Sequence, residues 1–283
     1  MASGASKHKS FKRSYREDYA RELEVPGMGF HIFYVFKLIF ENWKIFLPLL
    51  IIMATITAGL VGLADGFLNG QTIIFGSLMF LMIWLSSIFV VRHRMAGNKI
   101  TIFDALYNSM TPLISTLVVL VVAAIQCIPI IILVVAYSSA IETHFLETPF
   151  YALLFFTFAA LLVLLSSYLL SGTLMALVAV SAPGLYPLEA LKTANELMRG
   201  RKIRFILRII LLLILVVIMW VVVMFPIAKF GGNLPALIKI CGIIMSCFLA
   251  IYASVYFYVY YRWMLRFDTK EDNGKKRSRK KNK

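Results

Sequence analysis

The chain has 283 residues, 60% of them hydrophobic and 14% aromatic, and a formal net charge of +15. Its mean hydropathy of +0.83 lies well above that of water-soluble domains, which sit nearer half apolar, so a soluble globular class is set aside. The apolar excess falls into six blocks of about twenty residues, the length at which a helix crosses a ~30 Å hydrocarbon layer.

Residues 1–29 are polar and basic and have no apolar core of the kind a cleavable signal peptide needs. Within them Phe11, Tyr15, Tyr19 and Leu23 recur every fourth residue, the spacing of a short surface helix. Pro26 and Gly27 end it with turn chemistry. Residues 30–43 mix aromatic and aliphatic side chains with Lys37, Glu41 and Asn42, which suits a helix lying in a membrane interface.

The first span is predicted over residues 45–64 and the second over 72–91, closed by Arg92, His93 and Arg94. An amphipathic piece follows at 99–111. The third span, 113–137, is interrupted by Pro129. The fourth stays apolar from Tyr151 to about Val180, longer than a bilayer needs, so it either tilts or emerges. Residues 187–199 form the clearest amphipathic helix. Pro187 suits its first turn and Gly200 its end. Its apolar face is read as Leu188, Leu191, Ala194 and Met198. The fifth span covers 209–228 and the sixth 237–260. The aromatic cluster from Tyr256 to Trp263 reads as a set of interfacial anchors. Residues 267–283 are a polybasic tail, too charged to fold alone.

Lys and Arg fall almost entirely on one side of this layout, with only Lys229 and Lys239 on the other. The positive-inside rule therefore places both termini in the cytoplasm of a cell-membrane protein. The three organisational units are a basic N-terminal segment (1–29), a membrane domain (30–266) and a disordered tail (267–283). The fold class is all-α, a polytopic bundle of six transmembrane helices with three cytoplasmic amphipathic helices.

Those helices suggest an internal repeat of helix plus hairpin. Phe103-Asp104-Ala105-Leu106 matches Leu188-Glu189-Ala190-Leu191, and Phe36-Lys37-Leu38 is a looser third copy. The stretch PLEALKTANELMRGRK, residues 187–202, followed by an apolar span, resembles the last repeat of a bacterial membrane-domain family. Members of that family form the membrane portion fused to some glycerophosphodiester phosphodiesterases, or stand alone. The resemblance covers about residues 30–266 and implies a six-span fold and a lipid-related setting. It carries no phosphodiesterase activity, because the barrel domain that performs that chemistry has no counterpart in this sequence.

No metal site, cofactor site or disulfide is read. Cys127, Cys241 and Cys247 lie in apolar blocks, and the last two are ~240° apart on one helix. The four histidines sit on separate segments away from ligand spacing. No acid falls inside a predicted span, which counts against a proton-driven carrier. No catalytic grouping is recognisable, so the chain is read as non-enzymatic.

Three sets of residues remain as candidates. Arg199, Arg201, Lys202, Arg204 and Arg208 form a basic knot at the start of the fifth span, read either as a headgroup site or as a topology signal. Gln126, Ser167 and Ser171 either line a polar cavity or bond to neighbouring helices and their own backbone. Ala54, Ala58, Gly62 and Gly66 on the first span, and Gly242, Ser246, Ala250 and Ser254 on the sixth, form two small-residue stripes. The expectation is that Ala58 and Gly62 pack against Gly242 and Ser246.

The function read from these features is the organisation of lipid, or of a protein partner, in the cell envelope. Anionic membrane lipids are the expected partners and no specific nucleic acid is expected. A permease subunit or passive transporter is the alternative. Glu189-Ala190-Leu191 resembles the start of the E-A-A loop of importer permeases, but that loop wants Gly where Asn195 stands.

Overall fold

The computed structural model describes residues 28–63, 70–143, 147–181, 186–230 and 235–281. The stripe from Phe11 to Leu23, the turn at Pro26 and Gly27, and Gly66 lie outside the described residues. The described residues form ten helices: α1 (Met28–Glu41), α2 (Trp43–Leu63), α3 (Gly70–Met95), α4 (Ile102–Ser109), α5 (Leu113–Gln126), α6 (Ile128–Glu142), α7 (Pro149–Ala179), α8 (Pro187–Leu197), α9 (Lys202–Phe230) and α10 (Pro235–Lys281). Five are long and apolar enough to cross a membrane, or six if α4 and α5, bent by 59° at their junction, count as one. The chain is an all-helical membrane protein.

Local chemistry sets the breaks. Asn42 separates α1 from α2: its side chain donates to Leu38 O at 2.9 Å, and its carbonyl accepts from Ile45 and Phe46. Thr101 caps α4 in a capping box with Asp104, satisfying two otherwise orphaned N–H groups. Gly97 and Gly200 adopt positive φ in the turns after α3 and α8, where any other residue would be strained. The sequence placed Gly200 in that role.

Pro129 divides the third apolar block into α5 and α6. In an unbroken helix Ile130 N–H would bond Gln126 O, but it turns to Cys127 O instead. The released Gln126 carbonyl accepts from Ser166 Oγ of α7 at 2.7 Å. Beyond the apolar part of α10, the backbone continues as helix to Lys281.

The helix ends that carry cations come together, and this is called the basic end below. Arg92 at the end of α3 donates to Ser181 O beyond α7 at 2.7 Å. Buried side chains concentrate here, at Ile45 to Ala54 of α2, Leu81 to Val91 of α3 and Ser166 to Val180 of α7. Most of α10 from Ile243 to Met264 joins them. α10 is the most buried of the spanning helices, and α7 and α9 are the least.

The three short helices α1, α4 and α8 each pack against a long one. α1 lies on α10, α4 on α3 and α8 on α7. Each therefore covers the span that closes the preceding hairpin. Their burial registers correspond: Val35, Ala105 and Ala190 are fully buried, as are Ile39, Ser109 and Ala194 four residues on. On α8 the buried face is Ala190, Ala194, Leu197 and Met198, whereas Leu188, read as part of that face, is exposed. Asn195 on α8 lies so near Gly172 of α7 that a Cβ on Gly172 would collide with Asn195 Oδ1.

That contact gives a prediction. Gly172→Ala should destabilise the purified protein by ~1–3 kcal/mol, the range for overpacking a close contact, and Asn195→Ala in the same chain should restore most of the loss. Thermal melting of the two variants and of the double variant measures it, and an unchanged melting temperature in Gly172→Ala contradicts the packing.

Candidate functional site: a basic and aromatic rim

The residues with chemical character gather at the basic end, where α9 enters the bundle. Arg208 stacks its guanidinium over Tyr260 at 4.8 Å and over Trp263 at 4.9 Å, both on α10. One turn and a half earlier, Lys202 Nζ sits 4.1 Å above the ring of Tyr168 on α7. Arg201 and Arg204 also lie close enough to Tyr260 to act on its hydroxyl electrostatically. Arg199 and Arg204 are exposed. Lys202, Arg204 and Arg208 thus lie on α9, with Arg199 and Arg201 in the turn before it, and the rings that face Lys202 and Arg208 come from α7 and α10.

The rim is backed by stacked rings. Phe205 on α9 lies 5.2 Å from Tyr260 and 6.0 Å from Phe257, and Phe257 lies 5.5 Å from Trp84 on α3. The aromatic residues of α10 are therefore not a lipid-facing belt. Tyr256, Phe257, Tyr258 and Tyr260 are buried, and only Tyr261 and Trp263 are partly exposed. The cause is the position of α10, which contacts α1, α2, α3, α7, α8 and α9. A helix that is apolar on all sides belongs in the middle of a bundle.

His31 was treated in the sequence as an isolated histidine. It is buried in this rim, with its ring edge-on to Tyr256 at 4.5 Å and to Tyr260 at 6.2 Å. Its Nε2 lies 3.4 Å from the Tyr256 carbonyl, which can only accept, so that nitrogen carries the proton. With Tyr252 Oη donating to Ile32 O at 3.4 Å, this contact fastens α1 to α10. Burial pushes the imidazole down to about 4; the carbonyl bond opposes the shift and the charge of Arg208 adds to it. No spacing rule in the sequence links His31 to Tyr256, 225 residues away.

The polar residues of the middle spans are ties between helices. Thr173 Oγ1 donates to Gln126 Oε1 at 2.6 Å and Ser166 Oγ to the Gln126 carbonyl, joining α7 to α5. Ser171 is buried and donates to Tyr168 O on its own helix at 2.7 Å. Ser167 is partly exposed. Gln126 and Ser171 thus spend their hydrogen bonds on helices, as the packing alternative supposed.

The small-residue pairing does not hold as expected. A Cβ on Gly62 would meet nothing within 4 Å, and one on Gly242 would meet Met224 of α9, not α2. Ser246 is exposed. The two helices do touch, but on another face, where Thr57 lies beside the Cys247 thiol. Ala54 and Ala250 are buried, and Ala58 is partly buried in the core. A stripe of small residues fixes that a close approach is allowed, but not which helix makes it.

Among the described residues no group of three or more His, Cys, Asp or Glu could hold a metal ion. No family model, no curated protein and no solved structure matches the chain.

The buried histidine makes stability depend on pH. Because its folded value of about 4 lies below the ordinary 6.5, the unfolded chain binds more protons between those two values. Stability should therefore be full above pH 6.5 and fall as the pH drops towards 4, by up to ~3 kcal/mol. His31→Gln should flatten that fall. Melting curves from pH 7 to pH 4.5 in one detergent test this, and parallel pH profiles for wild type and variant would contradict it.

Proposed function

We propose that this chain is a non-enzymatic multi-pass protein of the cell membrane, with both termini in the cytoplasm, whose basic end gathers anionic lipid headgroups. The observation that carries this reading is the way its cations are held. Arg208 and Lys202 rest on aromatic faces, and such contacts orient a cation without neutralising it. Arg199 and Arg204 add exposed positive charge beside them. A surface of this kind attracts phosphate-bearing headgroups, each cation contributing about 1 kcal/mol near an anionic leaflet.

The contact of Lys202 with Tyr168 also suits this placement. If that level is the inner membrane boundary, residues 149–168 of α7 supply the ~30 Å span of about twenty residues that a bilayer requires. Residues 169–179 then emerge into the headgroup region, where α8 covers them. On α9 the apolar residues 209–228 supply a run of the same length that begins ~9 Å further along the helix than Lys202, so the boundary falls between the levels of Lys202 and Arg208. Tilt is not needed to explain the length of α7.

We also infer a threefold repeat of surface helix plus hairpin, with α1, α4 and α8 as equivalents. Their packing and the matching burial of Val35, Ala105 and Ala190 support it. The third copy then aligns through Val35, three residues before Leu38. The resemblance of residues 187–202 to the membrane portion of phosphodiesterase fusions is in keeping with a lipid setting.

The test uses detergent-purified protein. Added anionic phospholipid should raise the melting temperature more than a zwitterionic one, and Arg199→Gln with Arg204→Gln should remove about 2 kcal/mol of that preference. Both positions are exposed, so the fold should survive. Equal stabilisation of the wild type by the two lipids would overturn the reading.

A further inference from the structure

Arg208 is held by the protein but not satisfied by it. Its guanidinium carbon lies 4.8 Å from the centre of the Tyr260 ring and 4.9 Å from that of Trp263. The two rings stand 5.7 Å apart and are tilted by 35°. Such a seat holds a guanidinium by its face, and its N–H groups lie in its own plane, where they stay free to donate. Among the described residues Arg208 makes no hydrogen bond and no ion pair. The buried Tyr256 hydroxyl, one turn before Tyr260, is also without a partner, so it accepts nothing from Arg208. Arg92, at the same end of the bundle, differs in that it donates to Ser181 O.

The two helices that seat Arg208 offer it no counter-charge. α9 contains no Asp or Glu, and α10 contains none before Asp268. Glu41 on α1 is taken up by Lys37, at 3.9 Å. Position adds a second constraint. Arg208 is half-buried and stands directly before the apolar run 209–228, ~9 Å further along α9 than Lys202. A cation at the edge of hydrocarbon is costly unless it is paired. The anionic group that a bilayer itself supplies at that level is the phosphate of its lipids.

We propose that Arg208 holds the phosphate of one phospholipid of the cytoplasmic leaflet in the two-pronged fork that a guanidinium makes with phosphate oxygens. Tyr260 and Trp263 fix the plane of the fork. The proposal rests on the headgroup reading given above and deepens it. It assigns the phosphate contact to one side chain, whereas Arg199 and Arg204 supply exposed charge. A phosphate is common to zwitterionic and anionic phospholipids, so this site takes either, and the preference for net negative charge stays with the exposed arginines. A lysine at position 208 would keep the charge but lose the fork.

Native mass spectrometry of the full chain, purified in detergent and stripped of lipid, reads the site as a count of bound lipid. The probes are phosphatidylcholine, phosphatidylglycerol, diacylglycerol with the same chains, and inorganic phosphate. The wild type should take up either phospholipid as its first bound lipid, and diacylglycerol at least about tenfold more weakly. Arg208→Lys should weaken phosphatidylcholine retention about tenfold, the worth of a hydrogen-bonded contact to a charged group. Arg199→Gln with Arg204→Gln should leave phosphatidylcholine retention unchanged. Equal retention of phosphatidylcholine by Arg208→Lys and the wild type would overturn the proposal. So would equal retention of diacylglycerol and phospholipid by the wild type, a comparison that decides the matter even where Arg208→Lys does not fold. Displacement of the lipid by an equal concentration of inorganic phosphate would overturn it in favour of a soluble phosphate ligand. Loss of phosphatidylcholine in Arg208→Lys, with no preference for anionic lipid in melting, would leave this site standing and remove only the anionic preference. The reverse pattern would remove only this site.

Discussion

Helices inside hydrocarbon gain nothing from hiding apolar side chains from one another, so a bundle of this kind is held only where side chains interlock or hydrogen-bond. In this chain those places lie at one end. The buried parts of α2, α3 and α7 lie towards the basic end, α10 is buried along most of its span, and the short helices α1, α4 and α8 pack against α10, α3 and α7. Small side chains make this possible: Ala105, Ala190 and Ala194 are buried against neighbouring helices, and the Asn195 side chain fills the space that Gly172 leaves open. The far ends of α7 and α9, exposed along most of their length, depend on this base for their position.

Five long apolar helices were legible because each is a local pattern, whereas the third block, read as one span, is broken into α5 and α6. Hydropathy marks a span within its own twenty residues, and Pro187 and Gly200 mark the limits of α8 from their own backbone preferences. The bend at Pro129 was legible for the same reason. What could not be read were pairings. The stripes ending in Gly62 and Gly242 were joined to each other, yet Gly62 is open and Gly242 faces Met224. Leu188 was placed on the buried face of α8 because it is apolar, although lipid-exposed and buried positions are both apolar in such a protein.

The aromatic run on α10 shows the same difficulty in a sharper form. Tyr and Trp near a helix end suit an interface, and the sequence offers no sign that six other helices contact α10. One signal was present: from Ile251 to Tyr261 no side of the helix is polar, which favours burial over a one-sided belt. Of the candidate site, the basic knot was legible as a set. Its aromatic supports were not, because Tyr168 and Tyr260 come from other helices. His31 carried no signal at all. The cations of Lys202 and Arg208 rest on rings, while the buried histidine beside them ties α1 to α10.

The central claim is that each surface helix is clamped to the span that closes the preceding hairpin. It is most directly tested where α4 meets α3, because Ser86 Oγ and Ser109 Oγ are 3.0 Å apart and both side chains are buried. Ser86→Cys with Ser109→Cys, in a chain whose native cysteines are replaced, should form an intramolecular disulfide on mild oxidation in membranes. A folded protein that forms no bridge, or that bridges only between copies, would contradict the clamp.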